Sequence, residues 1–307
     1  MSDPLAEMVA LLQPAARLVK LVGAAGAWGA RRVETGQPSF CAVLDGHPVL
    51  TLQGEAPLPL APGDFVLVPA TWEFTMSGAA APPAAAFERA PLQLGPGEVR
   101  HGDPEGEPDT RFVIGHCVFG APDAALLVSL LPRMVHVRGD ARLASLVELV
   151  RDESRAQRPA RDVVLARLLE VLLIEALRSA DGTAAAPGLV RGLADPRLAA
   201  ALRRIHAQPA QAWTVAELAK ESALSRSAFF ERFSAAVGMA PMEYLLAWRM
   251  ALAKDLLRRG ACRIAEVAQR VGYSSASTFS VAFTRHLGVP PARFARDGTT
   301  SSASPLQ

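Results

Sequence analysis

Two segments near the C-terminal end of this 307-residue chain carry polar and small apolar side chains at helical spacing. On the first, Arg226, Ser227, Phe230, Glu231 and Arg232 fall on or beside one helical face. On the second, Ser275, Ala276, Ser277, Ser280, Val281, Thr284 and Arg285 do the same. Such sets suit a double-stranded nucleic acid: Arg pairs bidentately with a guanine edge or holds a phosphate, hydroxyls bond phosphate oxygens, and Ala, Val or Phe meets a thymine methyl. Glu231 either accepts from cytosine N4 or repels the wrong sequence, and Phe230 either meets a methyl or packs. Arg226, at a helix start, is the foremost candidate. Arg263, Arg293 and Arg296 are candidate phosphate anchors, weighed evenly against the role of a solvated surface charge.

Those faces need helices held in register, and the sequence supplies them twice. Val215-Ala216-Glu217-Leu218-Ala219 matches Ile264-Ala265-Glu266-Val267-Ala268, and Phe229-x3-Phe233-x4-Gly238-x2-Pro241 matches Phe279-x3-Phe283-x4-Gly288-x2-Pro291. Each copy predicts a short helix, a turn and a longer helix. Thr214 and Glu217 form a capping box for a helix to Ser222; Ser225 caps the next, to Val237 before Gly238. Pro241 opens a helix through Arg259, closed by Gly260; another runs from Ile264 to Val271, and Ser274 or Ser275 caps a last one ending at Gly288. Leu218, Phe229 and Phe233 in one copy, and Val267, Phe279 and Phe283 in the other, would pack each pair and leave the opposite face free. The intervening helix of about 19 residues spans roughly 28 Å, suited to placing two recognition helices in successive major grooves about 34 Å apart.

Charge agrees. Up to Ala200 there are 18 Arg and Lys against 23 Asp and Glu; from Ala201 onward there are 14 against 7, so the last third is +7 and the rest −5. A polyanionic partner for that third is expected. The three cysteines, Cys41, Cys117 and Cys262, include no CxxC pair, which excludes a disulfide framework and a Cys-rich zinc module. No uncharged stretch approaches the roughly 20 apolar residues of a membrane span, and Asp3, Glu7 and Lys20 argue against a signal peptide; a cytoplasmic protein without membrane partners is expected.

Ahead of the basic third, residues 36–120 read as short strands punctuated by Asp-Gly, Gly-Glu and Pro-Gly turns, a small sandwich or barrel. The Gly-, Pro- and acid-rich stretch 95–110 reads as a mobile surface loop without assigned structure. Helical spacing follows at 124–131, 140–156 and 160–179. The expectation is an α+β chain of two domains: 1–180 with the strands and the helices that follow them, a linker at 181–194, an all-α DNA-binding domain at 195–298, and a disordered tail at 299–307.

The stretch IAEVAQRVGYSSASTFSVAFTRHLGVPPARF, preceded by WTVAELAKESALSRSAFFERFSAAVGMAPMEYLLAWRMALA, resembles the double helix-turn-helix domain of AraC/XylS-type bacterial transcription regulators. PGDFVLVP, His101-Gly102 and LLPRMVHVRG are similar to the cupin-like effector β-barrel of one branch of that family. The resemblance implies an activator or repressor that binds promoter DNA and answers a signal sensed by the N-terminal domain, contacting RNA polymerase if an activator. The chain departs from the family's second signature at Val281 and Thr284, where a basic residue is usual, and at Phe294-Ala295-Arg296, where an aromatic is followed directly by Arg. The departures imply that the second module chiefly grips phosphates.

A catalytic cupin needs clustered His and a carboxylate. Ala70-Thr71-Trp72-Glu73-Phe74 follows the PGDFVLVP strand without His-x-His, and no nucleophile elbow or phosphate loop occurs, so no catalysis, cofactor or metal is expected. The alternative is a metal-dependent cupin enzyme fused to a DNA-binding tail, or a metal or redox sensor built from Cys41, His101 and either His116 or Cys117. A small organic effector is favoured, lined by Phe40, Ala42, Leu44, Phe65, Leu67, Trp72 and Phe74, with alternation leaving open which face inward. The apolar stripe Leu165, Leu168, Leu169 and Leu172 is a candidate homodimer interface, set against intrachain packing.

Overall fold

The computed structural model describes residues 3–32, 38–69, 73–119, 124–128, 131–156, 158–179, 187–260 and 262–301. The chain packs as two units: Leu12–Ala186, and Met1–Leu11 together with Pro187–Gln307. The chain opens with helix α1 (Pro4–Leu12), and the strands that follow are β1 (Pro14–Ala25), β2 (Gly29–Arg32), β3 (Ser39–Asp45), β4 (Val49–Leu52), β5 (Leu58–Pro59), β6 (Phe65–Val68), β7 (Phe74–Ser77), β8 (Leu92–Gly95), β9 (Glu98–Gly102) and β10 (Thr110–Phe119). Then come α2 (Ala124–Val128), β11 (Val135–Val137), α3 (Ala141–Arg155) and α4 (Arg161–Ser179).

The strands form a seven-stranded sheet, β11-β6-β3-β10-β1-β9-β8, and a four-stranded sheet, β2-β7-β4-β5. One buried cluster draws on both, with Val22, Cys41, Val43, Val66, Val68 and Phe112 from the larger sheet and Leu50, Leu52, Phe74 and Met76 from the smaller, together with Trp28. Period-two alternation then sends Phe40 and Ala42, paired with Leu67 and Phe65, to the other face of the larger sheet. The Phe40 and Phe65 rings stack there, centroids 5.9 Å apart. Gly115 on β10 permits this, since a Cβ at that position would sit 2.2 Å from the Phe40 ring. Helix α4 packs on α3, β1 and β11, and Leu165, Leu169, Leu172 and Leu173 are buried along it.

The barrel begins earlier than the turn signals suggest. β1 pairs antiparallel with β10 and parallel with β9, and its Ala and Gly residues hide the alternation that Val22 and Ala24 complete. β9 lies inside the stretch expected to be an unstructured loop, where Val99 is buried and pairs with Val22.

The second unit continues with α5 (Leu189–Ala194), α6 (Pro196–Ala207), α7 (Val215–Glu221), α8 (Arg226–Val237), α9 (Pro241–Arg258), α10 (Ile264–Arg270), α11 (Ala276–Leu287) and α12 (Pro291–Ser301). α5 occupies the described part of the expected linker, residues 181–186 lying outside the described set. It is core rather than linker because Leu189 and Val190 are buried and the helix packs on α6 and α8. Gly192 is the point of closest approach: a Cβ there would meet Leu202 and Val237 at 2.9 Å each. α12 extends into the expected tail as far as Ser301; residues 302–307 lie outside the described set. The first residues, expected to belong with the barrel, join the helical unit through a hydrogen-bonded chain. His206 Nδ1 pairs with Glu7 Oε2 at 3.0 Å, and His206 Nε2 with the Tyr244 hydroxyl at 2.7 Å.

Candidate nucleic-acid interface

Each helix pair is locked by the residues the repeat singled out. Leu218, Phe229 and Phe233 are fully buried, as are Val267, Phe279 and Phe283. The ring pairs Phe229–Phe233 and Phe279–Phe283 repeat almost identically, at 5.5 and 5.4 Å between centroids. Thr214 accepts from the Glu217 amide while Glu217 accepts from the Thr214 amide, fixing the start of α7. Ser225 accepts from the Ala228 amide at the start of α8, and Ser275 from the Thr278 amide at the start of α11. Both longer helices stop at a left-handed glycine, Gly238 and Gly288. α9 has 18 residues, about 27 Å, and Arg249 on it donates to the Pro209 and Gln211 carbonyls, pinning the loop ahead of α7.

With Phe229 and Phe233 turned inward, α8 exposes Arg226, Ser227, Phe230 and Glu231, which with Val215 of α7 line one shallow depression. Phe230 is 44% exposed, an apolar side chain in water on a polar face. Arg232 is engaged elsewhere. It pairs with Asp195, the cap of α6. Burial alone would raise the Asp195 pKa, but hydrogen bonds from Arg232 and from the Arg197 and Leu198 amides outweigh it and hold the carboxyl below its usual range.

On α11, Ser277, Val281 and Arg285 are exposed and Ser275, Ala276, Ser280 and Thr284 half-buried. Val281 is 70% exposed. Ser277, Val281 and Arg285 share a depression with Thr278, Ala282 and His286 and with Leu246 of α9, positions the sequence reading passed over; the i, i+4 spacing of Thr278 and Ala282 carried that signal. Two hydroxyls serve the helix itself: Ser275 caps it, and Ser280 donates to the Ala276 carbonyl at 2.7 Å. Arg263, Arg293 and Arg296 are exposed, Arg263 at the N-cap of α10.

The residues proposed for an effector pocket do not converge. Phe74 belongs to the filled interior, Phe40, Ala42, Phe65 and Leu67 lie on the opposite sheet face, and Leu44 is 38% exposed; Trp72 lies outside the described residues. Along α4, Leu165, Leu169 and Leu172 are core and Leu168 half-buried, whereas Val163, Val164 and Val171 are exposed. Of the candidate sensor residues, Cys41 is buried in the barrel, which pushes its thiol up to about 12. Burial, assisted by Lys20, lowers the pKa of His101. His116 Nε2 lies 2.7 Å from Arg32 Nη2, and the Cys117 side chain is not described. No group of three His, Cys, Asp or Glu converges among the described residues.

A two-sheet barrel and a duplicated, capped helix-turn-helix with its outer faces free define a DNA-binding regulator with a separate N-terminal module. Comparison with known proteins agrees. Residues 3–180 match the cupin family and residues 218–297 a helix-turn-helix domain family. A Streptomyces lividans protein named as an AraC-like transcription regulator is 37% identical over 97% of this chain and 99% of its own. One from Streptomyces antibioticus with the same name is 37% identical over 94% and 97%. The crystal structure of the AdpA DNA-binding domain in complex with a target DNA aligns over 36% of this chain and 99% of that one, at 28% identity and a TM-score of 0.34. The chain belongs to the AraC-like family of bacterial transcription regulators, in the branch with a cupin N-terminal domain. It is a regulator rather than an enzyme, as its relatives are. Among the described residues no helix is long and apolar enough to cross a membrane.

Proposed function

We propose that the chain regulates promoters as a cytoplasmic homodimer, inserting α8 and α11 into successive major grooves and answering a small-molecule effector bound by the cupin domain. If it activates, it does so by contacting RNA polymerase. The observation that carries the reading is the matched pair of capped helices, each burying the same Phe-x3-Phe and exposing the same face. α8, with Arg226, is the sequence reader, and α11, with its hydroxyls, Val281 and Arg285, is the more permissive of the two. The dimer contact assigned to α4 falls on Val164, Leu168 and Val171, one turn apart on a single stripe, because the leucines beside them are already used in the fold.

The test is selection of binding sites from genomic fragments with the full-length protein, at two salt concentrations, beside Arg226→Ala. Enrichment of a site with two short elements one helical turn apart, lost in the variant, supports the reading. Binding that depends on salt but not on sequence, with or without added cell metabolites, contradicts it.

A further inference from the structure

Helix α11 buries Phe279 and Phe283, and at about 100° per residue Val281, midway between them, stands diametrically opposite the pair. It is the apex of the outward face, with Ser277 one turn before it and Arg285 one turn after it, both exposed. Val281 is 70% exposed, more than any other large apolar side chain among the described residues. The same construction on α8 puts Glu231 at the apex, midway between Phe229 and Phe233. The two helices thus share a frame and differ at the residue that reaches furthest: a carboxylate on one, an isopropyl group on the other.

That difference decides what each apex can recognise. A carboxylate accepts from cytosine N4 in the major groove. An isopropyl group neither donates nor accepts, so it does not distinguish the O4 of thymine from the N4 amine of cytosine. What it recognises is the C5 methyl of a pyrimidine, the only methyl that base edges present there; thymine always carries it, and cytosine does once methylated. The hydroxyls beside Val281, on Ser277 and Thr284, both donate and accept, so they do not restore the distinction. Leu246 of α9, 37% exposed, and Ala282 line the same depression as Val281 and add apolar surface next to it.

We propose that Val281 is a specificity-determining residue that reads a pyrimidine C5 methyl, so that C5 methylation of a cytosine facing α11 strengthens binding to that promoter. The proposal rests on the reading of α11 as a recognition helix and names the group on the DNA that it reads. Removing one methyl from water against the isopropyl group is worth about fourfold in affinity, about 0.8 kcal/mol. Helix α11 is then permissive toward the hydrogen-bonding edge of the base and selective for its methyl.

The test measures, by fluorescence anisotropy, the affinity of the full-length protein for a site selected with it from unmethylated fragments. Each thymine of the site is replaced in turn by uracil, which removes only the methyl. At every sensitive position, cytosine and 5-methylcytosine, each opposite guanine, are then compared. The expected result is a position where uracil weakens binding about fourfold and where 5-methylcytosine binds about fourfold better than cytosine. In Val281→Ala both differences at that position should shrink below about twofold. That variant should melt like the parent, because the side chain it trims is exposed. A selected site without thymine, uracil tolerated at every position, 5-methylcytosine no better than cytosine at the sensitive position, or methyl effects undiminished in Val281→Ala would each overturn the proposal. Sequence-specific binding without methyl dependence overturns this proposal alone, whereas sequence-blind binding overturns the DNA reading beneath it as well, so the two failures are told apart.

Discussion

Replacing Leu172 and Val171 by Glu, one at a time, separates what α4 does for the fold from what it does for assembly. Leu172 is 2% exposed and sits among Leu165, Leu169 and Leu173 beneath the sheet, whereas Val171 is 41% exposed. Truncating a leucine in such a site to Ala costs about 2–5 kcal/mol. A Glu adds a carboxyl that must be desolvated or protonated, so the lower bound for Leu172→Glu is that same range. For a unit of this size each kcal/mol lowers the melting temperature by about 2–4 °C, giving a fall of at least about 4–20 °C, or aggregation where the margin of about 5–15 kcal/mol is exhausted. Val171→Glu exchanges an exposed side chain and costs within about 0.5 kcal/mol. Thermal melts and light scattering coupled to size exclusion read both. The expected outcome is a destabilised or aggregated Leu172→Glu, and a Val171→Glu that melts like the parent but elutes as a monomer. A folded, monomeric Leu172→Glu with an unchanged melt would refute the packing argument and return the leucines to the interface.

Three further outcomes follow from the described geometry. Burial lowers the His206 pKa, although the Glu7 hydrogen bond and the charges of Glu7 and Asp3 raise it in part. The folded state therefore keeps His206 neutral where the unfolded chain protonates it, and stability falls as pH drops below about 6.5 toward the lowered value, by at most about 1.4 kcal/mol per pH unit. Melts across that window should show the loss, and His206→Gln should flatten it; an unaltered pH slope in that variant would contradict the buried chain. Cys41, held up to about 12 by burial, should resist maleimide labelling in the native protein at neutral pH while half-exposed Cys262 reacts; peptide mass mapping that finds Cys41 labelled as fast as Cys262 would contradict the closed barrel. Arg226→Ala should cost about 1–3 kcal/mol at one base position and leave the salt dependence of binding almost unchanged. A uniform loss across sequences, with the salt slope reduced by about one, would instead make Arg226 a phosphate contact.

The helix-turn-helix pairs were legible because every signal in them is local: capping residues, terminal glycines and a Phe-x3-Phe that recurs at fixed offset. The faces of α8 and α11 followed from helical period alone. What local chemistry could not show was engagement at a distance. Arg232 looks like its neighbour Arg226 in sequence, and only folding brings it to Asp195, 37 positions away. In the barrel, alternation narrowed Phe40, Ala42, Phe65 and Leu67 to one face but not to which face, since both sides of β3 and β6 are buried. Strands β1 and β9 are hidden in the sequence because Ala and Gly in the one and Gly, Pro and acidic surroundings in the other obscure pairings made across about 80 residues of chain. Helix α5 reads as a linker in sequence for a similar reason, its glycine serving close packing rather than freedom. The union of α1 with the helical unit rests on Glu7 meeting His206, 199 positions on.

We propose that one chain presents two recognition helices to one face of DNA. Hydroxyl-radical footprinting of the full-length protein on a selected site tests it most directly, read beside Val281→Asp and Arg226→Ala. Two protected patches per chain, centred one helical turn or about 34 Å apart, are expected. Arg226→Ala should erase one patch and Val281→Asp the other, with the remaining patch in place at higher protein concentration. A single continuous patch shorter than one turn, or both patches lost together whichever helix is altered, would contradict it.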